Sequence, residues 1–266
     1  MPEAGRVRNK VALVTGGASG IGRATCIRLA QEGATVVVAD LNQEQGKKTV
    51  SMMAAGGSFI ELDVTSETRW QELIAQVITE FGQLNVLVNC AGIGISGVFE
   101  ETRLQDWQRI MDVNLTGLFL GCKHAVLAMQ QAEPINGSII NISSIAGVVG
   151  GGDIAAYSAS KGGVTTLTKS VALSCAERGM NIRCNSIHPT YVDSEMLDPI
   201  VEFYPDRDAM RAAMSENIPM GRMATPEDIA NSVLFLASEE SSIMTGATMM
   251  VDGGTTAGVT SKHSSD

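Results

Sequence analysis

The chain has 266 residues, 44% of them hydrophobic and 18% charged, with a formal net charge of −10 at pH 7. That length suits one large α/β domain over residues 1–266, and no Pro/Ser-rich linker or low-complexity tract divides it. An acidic balance without a basic cluster disfavours nucleic acid, and no apolar run approaches the roughly 20 residues that span a bilayer.

Short β-branched runs alternate with helix-length segments, the pattern of βαβ units around a parallel sheet. The predicted strands are residues 11–15, 35–40, 58–63, 86–89, 138–142, 182–187 and 248–251; the predicted helices are about 20–31, 43–55, 67–81, a long one near 104–131, 155–178 and 226–238. Right-handed crossovers make this a Rossmann-type, doubly wound parallel sheet of seven strands with helices on both faces, which binds ligands at the carboxyl ends of its strands. Thr225-Pro226-Glu227-Asp228 is a helix start: a cap, Pro in the first turn, then acids facing the dipole. Residues 189–222 break the rhythm and read as an inserted lid rich in Met, Phe and Tyr, and the polar tail 255–266 reads as mobile. The opening Met-Pro-Glu-Ala-Gly-Arg has no apolar stretch of a signal peptide, which makes the cytoplasm the default location.

The first strand runs into Thr15-Gly16-Gly17-Ala18-Ser19-Gly20-Ile21-Gly22. Missing side chains at Gly16, Gly20 and Gly22 let backbone N–H groups approach a pyrophosphate at the helix N-terminus, with Ser19 and Ile21 beside it. Asp40 ends the second strand, where a carboxylate accepts from the adenosine ribose hydroxyls and repels a 2′-phosphate. Neither Ser19 nor Leu41 supplies a cation for that phosphate, so NAD is favoured over NADP. Asp63 and Val64 end the third strand and suit the adenine edge, or simply a turn.

Tyr157 and Lys161 are four residues apart, hence on one helix face. A phenol near pKa 10 is a poor base at neutral pH, and a neighbouring cation favours its phenolate. Ser144 ends the fifth strand, and Asn114 lies within the long helix; taken singly, each is also an ordinary turn or helix residue. The five cysteines, Cys26, Cys90, Cys122, Cys175 and Cys184, lack a CxxC pair, and the three histidines show no ligand spacing, so no metal site is expected.

In combination, residues 15–22, Asp63-Val64, Asn89-Cys90-Ala91-Gly92, Asn114, Ser144, Tyr157, Lys161 and Pro189 through Ser194 resemble the short-chain dehydrogenase/reductase family over residues 9–254. Segments such as Asn185-Ser186-Ile187-His188-Pro189 look most like bacterial hydroxysteroid and alicyclic alcohol dehydrogenases. The resemblance implies that Tyr157 exchanges a proton with the carbinol, that Lys161 lowers its pKa and binds the nicotinamide ribose, and that Ser144 hydrogen-bonds the substrate oxygen. It further implies that Asn114 positions a water, that Cys90, Ala91 and Gly92 line the cofactor, that Pro189, Val192 and Ser194 reach the nicotinamide, and that the assembly is a homotetramer. Two departures stand out: Cys90 replaces a second Asn, and Thr190 replaces the Gly after Pro189, placing a β-branched side chain near the nicotinamide edge.

Gly150, Gly151 and Gly152 form a wall that leaves room beside the catalytic oxygen or is merely a turn. The lid side chains Tyr191, Met196, Leu197, Ile200, Val201, Phe203, Tyr204, Met210 and Met214 either fill a local core or face a bulky apolar ligand. No Arg or Lys is evidently placed for a substrate carboxylate, although Arg207, Arg211 and Arg222 lie in the lid. The expectation is a small neutral, apolar secondary alcohol or its ketone: a cyclic alcohol, terpenoid alcohol or hydroxysteroid. The alternatives are a 3-oxoacyl-thioester reductase and, in another class, a non-catalytic dinucleotide-binding redox sensor.

Overall fold

The computed structural model describes residues 5–53, 56–94 and 96–258. Seven strands, β1 (Val11–Thr15), β2 (Thr35–Asp40), β3 (Gly57–Glu61), β4 (Val86–Asn89), β5 (Gly137–Ile142), β6 (Ile182–Pro189) and β7 (Thr248–Val251), form one sheet in the order β3-β2-β1-β4-β5-β6-β7. Every pairing is parallel. Side chains alternate along each strand between two cores, as the two-residue period of an extended chain requires. Leu13, Val37, Leu87 and Ile139 enter one core, while their neighbours Val14, Val38, Val88 and Ile140 enter the other.

Helices α3 (Glu67–Phe81), α5 (Gly117–Met129) and α6 (Ala155–Glu177) close the first core with Trp70, Leu118 and Val164. On the other face α1 (Gly20–Gln31) and α9 (Pro226–Ala237) contribute Leu29 and Val233. The remaining helices are α2 (Gln43–Ser51), α4 (Leu104–Met111), α7 (Asp198–Val201) and α8 (Arg207–Ser215). The strand order reverses between β1 and β4, the crevice where doubly wound sheets take ligands.

Besides shifts of one or two residues elsewhere, three elements differ from the expectation. Strand β3 pairs with β2 over Gly57–Glu61 and stops before Asp63, because Asp63 Oδ1 accepts from both Thr65 N (2.9 Å) and Thr65 Oγ1 (2.7 Å), turning the chain towards α3. Helix α2 ends at Ser51, and residues 54 and 55 of its expected end lie outside the described residues. The expected long helix is α4 and α5 joined by a π-helical stretch, Asp112–Thr116.

The tail also departs from expectation at its start. Thr256 N donates to Asp252 Oδ2 (2.8 Å) and Thr255 Oγ1 to Asp252 O (2.6 Å), so these residues are tied down. Residues 259–266 lie outside the described residues.

Candidate active site

All the sequence-predicted site residues gather at the carboxyl edge of the sheet. Gly16 (φ 66°) and Gly20 (φ 46°) adopt the left-handed conformation that lets the chain turn from β1 into α1. A Cβ at Gly22 would meet Gly16 O at 2.0 Å, so only glycine lets the helix lie so close to the turn. Thr15 Oγ1 accepts from Cys90 N (3.1 Å) and Ala91 N (3.2 Å), clamping the ends of β1 and β4 together. Asp40 braces the turn: Oδ2 accepts from Ala18 N (3.0 Å) and Oδ1 from Asn42 N (2.9 Å), while the next residue, Leu41, is exposed. Ser19 precedes α1 without capping it by its side chain. Ile21 is partly buried in the first turn, and Val64, whose carbonyl accepts from Trp70 Nε1 (2.9 Å), follows Asp63 beyond β3. This left-handed, side-chain-poor turn at a helix N-terminus fits a dinucleotide diphosphate.

The proton-handling groups lie across the same crevice. The Ser144 hydroxyl accepts from Ala146 N (3.1 Å) and lies close enough to the Tyr157 phenol to favour its ionised form. One turn along α6, Lys161 Nζ sits 5.6 Å from the centre of the Tyr157 ring and donates to Ile142 O (2.9 Å). Buried Asn114 accepts from Ile93 N (2.8 Å) and donates to Ile93 O (2.9 Å) and Ser160 Oγ (3.2 Å), bridging the chain after β4 to α6. A Cβ at Gly92 would lie 3.4 Å from Asn114 Oδ1 and 3.5 Å from Lys161 Nζ, so the bare glycine keeps the approach to both groups clear.

The electrostatics differ from the expected lowered phenol. Burial pushes the Tyr157 pKa up, the Ser144 hydroxyl opposes that, and Cys90 adds to the rise. Burial also lowers Lys161 to about 8, with Cys90 opposing the fall. Cys90, half-buried beside the crevice, is pushed up to about 12, mainly by burial, and stays a neutral thiol.

Sequence reasoning missed His188. Fully buried in β6, its Nδ1 lies 2.9 Å from Ser144 O and its Nε2 2.9 Å from Ser186 Oγ. A carbonyl only accepts, so Nδ1 carries the proton, and burial holds the ring pKa below its ordinary value. His188 thus anchors the backbone of Ser144 through a neutral ring. The sequence signal was the His-Pro pair closing β6, whose partner lies 44 residues away.

A family model described as "Enoyl-(Acyl carrier protein) reductase" matches residues 16–256. A 3-alpha-(or 20-beta)-hydroxysteroid dehydrogenase of Mycobacterium tuberculosis is 45% identical over 96% of this chain and 92% of its own length. A cyclopentanol dehydrogenase of a Comamonas species is 40% identical over 95% and 99% of the two chains. The crystal structure of a short-chain type dehydrogenase/reductase from Mycobacterium marinum superposes with a TM-score of 0.87 at 33% identity, over 95% of this chain and 97% of that one. The chain belongs to the short-chain dehydrogenase/reductase family. It is an alcohol oxidoreductase acting on a small molecule with a nicotinamide dinucleotide.

Within this dehydrogenase the segment after β6 resolves into distinct roles. Pro189 ends β6, buried Val192 bridges to Ala224, and Ser194 packs on Gly20, where an added Cβ would lie 3.2 Å from Ser194 Cβ. Thr190 is buried, and its hydroxyl lies 3.4 Å from Thr255 Oγ1, to which it can donate, so it faces the C-terminal turn. Met210, Met214, Ile218 and Met223 form a small core of their own against Leu197, Ile200, Val201 and Tyr204. Tyr191, Met196 and Phe203 stay exposed, as do Val148 and Val149 in the loop after β5. A Cβ at Gly150 or Gly152 would meet nothing within 4 Å, whereas one at Gly151 would strike Ile154.

Proposed function

We propose that this enzyme interconverts a neutral, apolar secondary alcohol and its ketone with NAD, using Tyr157 as the proton carrier. The observation that carries the reading is the Lys161 ammonium 5.6 Å from the centre of the Tyr157 ring, one helical turn along α6, with the Ser144 hydroxyl acting on that phenol and the glycine turn across the crevice. When bound, nicotinamide supplies or accepts the hydride. In reduction Tyr157 Oη donates its proton to the carbonyl oxygen, while Ser144 Oγ–H hydrogen-bonds that oxygen and stabilises its growing charge. In oxidation the carbinol proton passes to Tyr157 Oη, and Lys161 with a water positioned by Asn114 relays it outward. Lys161 donates once to Ile142 O, leaving two N–H groups for the nicotinamide ribose and that water.

Asp40, with its carboxylate at the end of β2, supports NAD over NADP. The nearest candidate cation, Arg23, is engaged by Ala18 O, Gln45, Thr49 and Glu195. Substrate neutrality is supported by the lid: Arg207 pairs with Asp193 and Asp198, Arg211 with Asp193 and Asp208, and Arg222 with Asp228. Residues 189–222 carry seven acids against those three arginines. Exposed Tyr191, Met196, Phe203, Val148 and Val149 suit a cyclic, terpenoid or steroid skeleton. The assembly we favour is a homotetramer joined through α5, α6 and β7.

The test is NADH formation across a panel of cyclic, terpenoid and steroid secondary alcohols. Tyr157→Phe is expected to lower turnover by about 10²–10⁴-fold while retaining NAD binding. Preference for NADP, turnover of 3-oxoacyl thioesters alone, or full activity of the Phe variant refutes the reading.

A further inference from the structure

The N-terminus of α1 already holds an anion from elsewhere in the chain. Glu195 Oε2 accepts from Gly20 N at 2.9 Å, and Glu195 Oε1 lies 3.3 Å from Arg23 Nη1. Nothing local competes for that role: Ser19 makes no side-chain cap, and the first turn of this 12-residue helix has no acidic residue. Arg23 adds a full positive charge to the partial charge of the helix end, so the site attracts negative charge. The fit is close on the opposite side too, since a Cβ at Gly20 would lie 3.5 Å from Glu195 Oε2 as well as 3.2 Å from Ser194 Cβ. Gly20 is therefore bare both for a diphosphate and for this internal carboxylate.

Building on the reading of the glycine turn as a dinucleotide site, we infer that Glu195 is an internal competitor for the diphosphate position: it latches the segment after β6 onto α1, and the cofactor must expel it. Two anions at one helix end repel, and the latched carboxylate already uses the Gly20 amide. Displacing it frees Glu195 from α1 together with Met196, its neighbour in the short 3₁₀ turn Glu195–Leu197. Arg207 clamps both flanks, pairing with Asp193 and donating to Ser194 O before the turn and pairing with Asp198 after it, so the motion is confined to the turn between them. Cofactor entry thus couples to the position of Met196, an exposed apolar side chain of the lid. The latch trades cofactor affinity for a defined lid position in the unliganded enzyme.

The experiment measures dissociation constants for NAD, ADP and adenosine by calorimetry in the parent, Glu195→Gln and Glu195→Ala, with hydrogen exchange of the unliganded proteins. Both variants are expected to bind NAD and ADP about three- to tenfold more tightly, because an exposed charge interaction is being removed. Adenosine, which lacks phosphates, is expected to bind all three proteins alike. Glu195→Ala is expected to speed exchange at the Gly20 amide and in the segment around Ser194. Unchanged or weaker NAD binding by both variants overturns the inference, as does unaltered exchange at Gly20. A parent that binds no dinucleotide refutes the cofactor-site reading and the latch with it, whereas normal alcohol turnover with unchanged affinities refutes the latch alone.

Discussion

Burial acts on Tyr157 and Lys161 in opposite directions on the pH scale, raising the phenol and lowering the ammonium, and both shifts favour the neutral forms. A phenol whose pKa is raised keeps its proton, so ketone reduction starts with Tyr157 protonated throughout the neutral range. Lys161, at about 8, is charged below that pH and loses its proton as pH rises through it. The rate of ketone reduction is therefore expected to fall above a pH of about 8; a profile still flat to pH 10 contradicts this role for Lys161. His188 gives a second residue-level expectation. Replacing it by Phe removes the support of the Ser144 carbonyl and is expected to lower kcat about tenfold or more through misplacement of the hydroxyl. Asn at that position, able to donate to Ser144 O, restores part of the loss, and thermal unfolding checks that the fold persists. Asn114, Ser144, Tyr157 and Lys161 could be named as candidates because they stand at family spacings, but His188 could not, since nothing local marks a hydrogen bond to a strand end 44 residues away.

At the scale of elements, the clearest sequence signal was the start of α9. Thr225 Oγ1 accepts from Asp228 N (3.2 Å), and Asp228 Oδ2 accepts from Thr225 N (2.9 Å) and from Arg222, a reciprocal cap. The Arg222 hydrogen bond leads in lowering Asp228 to about 2. A depressed carboxylate stabilises the fold above its unfolded pKa, so this contribution is complete above the ordinary value of 3.8 and disappears as pH falls through about 2. Asp228→Ala is expected to cost about 1 kcal/mol in denaturant unfolding near neutrality. The cost should shrink towards zero at the acid end, and a cost independent of pH refutes the charge argument. The π-helical stretch Asp112–Thr116 was not legible. Its hydrophobic rhythm matches an ordinary helix, and the irregularity is tied to contacts with distant chain: Asn114 bonds Ile93 and Ser160, and a Cβ at Gly117 would press on Val64 at 2.9 Å.

For the whole molecule, apolar surface on the helices of one face bears on assembly. An open groove of about 450 Å³ between the π-helical stretch, α5 and α6 is lined by Leu115, Phe119 and Leu167, and Phe119, Leu127 and Leu173 are exposed. Sedimentation is expected to give four times the 28.0 kDa chain mass, and Phe119→Glu with Leu173→Glu is expected to produce a smaller species. A parent that sediments as a monomer refutes the tetramer. Among the described residues no helix is long and apolar enough to cross a membrane. The sequence by itself determined the seven strands and the glycine turn and nominated Asn114, Ser144, Tyr157 and Lys161, because two-residue and 3.6-residue periods, glycines and strand-end polar residues are local properties of the chain. Only the tertiary structure decided that Tyr157 is raised, that His188 holds Ser144, that Thr190 turns to the C-terminal segment, and that Glu195 sits on α1. Each depends on burial or on partners far apart in the chain, and no local pattern encodes a desolvation energy or a meeting 175 residues long.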